Sequence, residues 1–81
     1  NTLVADSVHW IDQSPTLPHK CSAKIRYRQA SQECQIMGID GDCIQVDFTE
    51  SQRAITPGQS IVFYDRDICL GGSVIKSKSN E

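Results

Sequence analysis

The chain is short of basic charge, of aromatics and of long apolar runs, and each shortage closes off a class of function. Eight Lys plus Arg stand against ten Asp plus Glu, a formal net charge of −2 at pH 7, whereas a dedicated nucleic-acid-binding module carries a basic excess. RNA contact would therefore require an uneven distribution of charge. No apolar stretch approaches the roughly 20 residues that a membrane-spanning helix needs, and no basic-then-apolar leader is present. The sequence therefore predicts a soluble, cytoplasmic chain with no membrane partner. It opens on Asn1 rather than methionine, which fits a domain cut from a longer protein or a processed chain. One tryptophan, two tyrosines and two phenylalanines leave little material for stacking bases. The 81 residues make one small domain; a chain of this size buries only about 60% of the surface its unfolded form exposes.

Recognisable catalytic and metal-binding constellations are missing too. The four cysteines, Cys21, Cys34, Cys43 and Cys69, include no Cys-x-x-Cys. Only His19 lies within two residues of one of them, so a zinc site would have to be assembled entirely by the fold. Two disulfides would suit a secreted chain, but without a secretion signal the reduced reading is favoured. Cys21, Cys34 and Cys69 sit in apolar strand patterns, where burial raises a thiol's pKa and removes its nucleophilicity. No serine occupies a strand-to-helix elbow, and Gly71-Gly72 is too short for a phosphate loop. The sequence thus predicts no catalytic, metal or cofactor site in this chain.

What is there is a succession of short strands punctuated by turns. Residues 2–5 and 8–11 are β-prone runs, followed by a loop carrying Pro15 and Pro18. Residues 20–28 alternate strictly, with Cys21, Ala23, Ile25 and Tyr27 on one side and Lys20, Ser22, Lys24, Arg26 and Arg28 on the other. Strands at 34–39 and 42–49 flank Asp40-Gly41, a dipeptide that favours a two-residue hairpin turn. Thr56-Pro57-Gly58-Gln59 fits a type II turn. Strands at 61–64 and 68–75 flank Asp65-Arg66-Asp67, and Gly71-Gly72 marks a bulge, a bend or a close backbone approach. The predicted fold is an all-β, six- to seven-stranded antiparallel barrel, since closure removes sticky strand edges. Its expected parts are lead-in strands and loop at 1–18, the barrel core at 19–75 and a polar tail at 76–81. The expected core contains Ile25, Tyr27, Ile44, Val46, Phe48, Ile61, Phe63, Leu70 and Val74.

The one feature that points outward is a stripe of Lys20, Lys24, Arg26 and Arg28. Alternate residues of a strand repeat every 6.5 to 7 Å or so, which lays these cations in a row able to follow phosphates. The same row also reads as a solvated face neutralised by Glu33, Asp47 or Glu50. Trp10 suits the mouth of the barrel or a partner domain better than a base.

Two segments, Cys21-Ser-Ala-Lys-Ile-Arg-Tyr-Arg-Gln29 and the run from Arg53-Ala-Ile-Thr-Pro-Gly-Gln59 through Val62-Phe-Tyr-Asp65 to Ile68-Cys-Leu-Gly-Gly72, resemble the C-terminal β-barrel domain of the bacterial tRNA-specific 2-thiouridylases. The resemblance covers residues 3–75 and implies a barrel similar to the second domain of translation elongation factors. It further implies a parent enzyme with an N-terminal ATP-pyrophosphatase domain and a central domain, which hold the ATP-binding loop and the two catalytic cysteines. That enzyme would use ATP with Mg to adenylate the wobble uridine of tRNA, then take sulfur from a cysteine persulfide fed by a sulfur-donor protein. For this chain the implied role is tRNA contact and assembly with the other domains. The basic stripe, not the resemblance, names the expected RNA-contacting residues: Lys24, Arg26 and Arg28, with Arg53 and Gln59 as further candidates near the turn. The rival expectations are a purely structural barrel and an independent translation-factor-like binding module. Ser73 departs from the family pattern, in which a third glycine is common.

Overall fold

A computed structural model describes residues 2–11, 16–25, 30–50 and 55–79, for 78 and 79 the backbone alone. It contains six strands: β1 (Thr2–Trp10), β2 (His19–Lys24), β3 (Gln32–Asp40), β4 (Cys43–Phe48), β5 (Ser60–Asp65) and β6 (Ile68–Ser79). Every pairing is antiparallel, and the order β1-β4-β3-β2-β5-β6 closes on itself as a barrel. The expected all-β barrel is thus observed with six strands, and no described residue is helical.

Alternation fills the interior. Ile44, Val46 and Phe48 of β4 and Ile61 and Phe63 of β5 point inward and are buried, joined by Cys34, Ile36 and Ala23. Ile25 and Leu70 pack against this cluster from half-buried positions. Tyr27 lies outside the described residues. Trp10 covers the core with its ring 6.1 Å from that of Phe63, in keeping with a residue that caps the barrel.

The expectation that the barrel begins after Pro18 is corrected. β1 pairs with both β4 and β6, and its Leu3 and Ala5 are wholly buried. The two runs read at 2–5 and 8–11 are one strand interrupted by a bulge, where Ser7 takes φ 53° and the pairing with β6 shifts between Asp6 and His9. A bulge adds one residue and so reverses the inward parity. Leu3 and Ala5 point inward before it, and Val8 and Trp10 turn toward the core after it. The polar tail is corrected as well: β6 runs to Ser79, where the backbone pairs with Thr2.

Parity also explains Val74. The β5–β6 pairing slips between Phe63 and Tyr64, leaving Leu70 as the extra residue. Beyond it Gly71, Ser73 and Ile75 are buried while Val74 is only half-buried, so Ile75 takes the core place expected of Val74. The first hairpin is offset by one residue. Asp40 pairs with Cys43, the loop is Gly41-Asp42, and Gly41 adopts φ 62°, the arrangement that puts glycine at the first loop position. The turn at 56–59 forms as read: Gln59 N–H donates to the Thr56 carbonyl at 3.2 Å, and Gly58 supplies φ 94°.

Candidate nucleic-acid interface

The outer face of β2 and its neighbours carries the candidate site. Lys20 is exposed opposite Gln35 of β3, which in turn lies opposite Asp47 of β4. Ser22 stands between Glu33 and Tyr64, and its hydroxyl donates to the Tyr64 carbonyl at 3.4 Å. Lys24, the last residue of β2, holds its ammonium 5.9 Å from the centre of the Tyr64 ring. A cation over an exposed aromatic face gains about 0.5 to 1 kcal/mol, which fixes the lysine on this face without removing its charge.

Beside Lys24 lies a concave site of about 570 Å³ to which Lys20, Ser22, Glu33, Tyr64 and Arg66 contribute. Its chemistry is mixed. Lys20 and Arg66 supply positive charge. Glu33 and Asp47 supply negative charge, although Asp47 also accepts a hydrogen bond from the Thr2 hydroxyl at 2.7 Å. Such a face can grip a phosphate through its cations, and its acidic neighbours limit how far a polyanion can spread across it.

Of the candidates read from the sequence, Lys24 belongs to this face. Arg26, Arg28 and Arg53 lie outside the described residues. Gln59 sits in the turn, where its side-chain oxygen accepts the Thr56 N–H at 2.9 Å and its backbone carbonyl accepts the Ile75 N–H. Among the described residues that leaves its amide NH2 as the group able to donate outward. Tyr64 and Arg66 are the site residues that sequence reasoning missed. Counting alternation onward from the inward Phe63 would have placed the tyrosine outside, whereas the arginine reaches the face through a hairpin loop in which it takes φ 60°.

The cysteines are free thiols, but they are not equally inert. Cys21 and Cys34 lie directly opposite one another, with their sulfurs 3.7 Å apart. The hydrogen bond between the two thiols holds Cys21 below the ordinary thiol range, against burial and the nearby Asp65 carboxylate, which push the other way. The same bond and burial push the Cys34 thiol far up. The expectation that burial raises the thiols of Cys21, Cys34 and Cys69 is therefore corrected for Cys21. Among the described residues no three His, Cys, Asp or Glu side chains come together to hold a metal.

Comparison with known proteins places this geometry. The profile of the aminomethyltransferase beta-barrel domain family matches residues 1–75. The tRNA-specific 2-thiouridylase MnmA of Ruthia magnifica subsp. Calyptogena magnifica is 61% identical over 74 residues, 91% of this chain and 20% of that protein. Its namesake from Vesicomyosocius okutanii subsp. Calyptogena okutanii is 53% identical over 75 residues, covering 93% and 21%. That of Aeromonas hydrophila subsp. hydrophila is 48% identical over 77 residues, covering 94% and 21%. The chain spans about one fifth of the length of the curated relatives it matches. A profile matched over nearly the whole sequence, and relatives that share about half or more of its residues, show that the chain belongs to the aminomethyltransferase β-barrel domain family, in the form found as the C-terminal domain of tRNA-specific 2-thiouridylases.

Proposed function

We propose that this barrel is the tRNA-contacting and assembly domain of a cytoplasmic tRNA-specific 2-thiouridylase. The observation that carries the reading is the likeness, across nearly the whole chain, to relatives that bear that name. The parent would thiolate the wobble uridine of tRNA with ATP, Mg and a cysteine persulfide supplied by a sulfur-donor protein, chemistry that the family resemblance assigns to its other domains. This chain's part is to hold tRNA backbone on the outer face of β2. Lys20 and Lys24 would meet phosphates there, joined by Arg26 and Arg28 from the segment that follows and by Arg66 from the β5–β6 loop. Arg53 and Gln59 would extend the contact toward the 56–59 turn.

Phosphate contacts supply affinity without reading bases. In the full-length enzyme, joint replacement of Lys24, Arg26 and Arg28 by alanine should weaken tRNA binding and flatten its salt dependence while leaving ATP binding unchanged. A folded triple variant with unaltered affinity and salt slope would remove the RNA-contact role.

A second reading, a barrel that only docks on the catalytic domain, is favoured by one observation. On the neighbouring β5–β6 face a mostly apolar groove of about 400 Å³ runs over Val62, the cross-strand partner of Lys24, and over Gly71, Gly72 and Val74 beside Ile11, and Ile11 is 64% exposed. Exposed apolar surface of this kind marks protein contacts. Ile11→Glu and Val74→Glu, neither of them on a strand neighbour of Lys24, would then loosen the domain from the rest of the enzyme without touching tRNA directly, seen as faster proteolytic separation of the barrel.

A further inference from the structure

We propose that Cys21 and Cys34 form a thiol–disulfide exchange site, at which a small disulfide of the glutathione type converts the pair into a cross-strand disulfide between β2 and β3. The register makes the two residues direct partners. Directly opposed residues on antiparallel strands hold their Cα atoms about 4.5 to 5.5 Å apart, inside the range of about 4.4 to 6.8 Å that a disulfide spans. Their sulfurs already lie 3.7 Å apart, so the bond requires side-chain rotation and not strand movement. Both side chains lie on the inward side of their strands, yet both residues line the concave site together with Lys20 and Arg66, so a small anionic disulfide has a way in and cations to meet it.

Burial divides the labour. Cys21 is half-buried and Cys34 is 4% exposed, which makes Cys21 the attacking group and Cys34 the resolving one. The hydrogen bond with Cys34, which favours the Cys21 thiolate, acts in the same sense, because the thiolate is the nucleophile in exchange. The Cys21 thiolate attacks one sulfur of the small disulfide, forming a mixed disulfide and expelling one thiolate. Cys34 then gives up its proton and attacks the Cys21 sulfur, expelling the second thiolate. The two cysteines together lose two electrons, the small disulfide gains them, and the two protons leave on the two small thiols. A dithiol reductant reverses each step.

The test treats the chain, and the full-length enzyme in parallel, with glutathione disulfide, using Cys43 and Cys69 on β4 and β6 as internal controls. The expected product has lost the mass of two hydrogens, yields a linked peptide pair containing Cys21 and Cys34, melts at a higher temperature than the reduced form, and reverts with dithiothreitol. Cys34→Ser should stop at a glutathione adduct on Cys21, and Cys21→Ser should leave Cys34 unmodified. Cys34→Ala stands in if Cys34→Ser melts too low to compare. A wild-type protein that accumulates only mixed disulfides, that is modified first at Cys43 or Cys69, or whose Cys34 reacts equally well without Cys21, overturns the proposal.

Discussion

Two small residues on β6 show how closely local chemistry is matched to the barrel. Gly71 adopts φ 155°, and a Cβ at that position would run into the carbonyl oxygen of His9 and lie 3.0 Å from the Trp10 Cα. The Gly71-Gly72 pair was legible as a bulge, a bend or a close approach; only the fold shows that β1 is the backbone approaching. Because the obstacle is main chain, Gly71→Ala should destabilise by about 2 kcal/mol or more, combining overpacking with an unsuitable backbone angle. Urea unfolding followed by circular dichroism measures it. Ser73 is buried and donates its hydroxyl to the Asp6 carbonyl at the β1 bulge. A bulge takes a carbonyl out of the ladder, and nothing in the bare sequence says that a serine so distant along the chain supplies the missing donor. Ser73→Ala should therefore cost about 1 to 3 kcal/mol, the usual penalty for a buried group left unpaired, and a smaller loss in the same unfolding assay would mean that solvent reaches Asp6.

Strands whose apolar residues alternate without interruption were readable; those with bulges were not. β4 and β5 carry Ile44, Val46, Phe48, Ile61 and Phe63 inward as counted. β1 and β6 defeat the count because one added residue moves every later side chain to the other face. β1 consequently passes for two fragments of a lead-in, although it is the strand that joins β4 to β6 and closes the barrel. Deleting residues 1–10 would remove Leu3 and Ala5 from the core and leave two long unpaired edges. The shortened chain should lose its cooperative thermal transition and aggregate, as exposed edges do. Retention of a sharp transition would show that β4 and β6 can close without it. Phe63→Ala, by contrast, should keep the topology while costing about 3 to 5 kcal/mol, because it empties the centre of the core and removes the ring on which Trp10 rests.

Charge decides what the whole barrel can do alone. The fold class followed from strands and turns, but the candidate tRNA face could be only half drawn from sequence. Alternation puts Lys20 and Lys24 on one side, whereas Tyr64 and Arg66 join them because β5 pairs with β2, a neighbour relation between distant segments. A net charge of −2 opposes a polyanion at long range, while these few cations attract it at short range. The isolated barrel should therefore bind tRNA only in the micromolar range or more weakly, and the full-length enzyme, with its other domains engaged, more tightly. Alanine in place of Lys20, Lys24 or Arg66 should reduce the slope of log affinity against log salt by roughly 0.7 to 0.9 for each phosphate no longer neutralised. Fluorescence anisotropy of labelled tRNA across a salt series reads both quantities. If the full-length variants fold, bind with the parental slope and differ only in how firmly the barrel is held, then the outer face of β2 is a solvated surface and the apolar groove along β6 is the domain's working side.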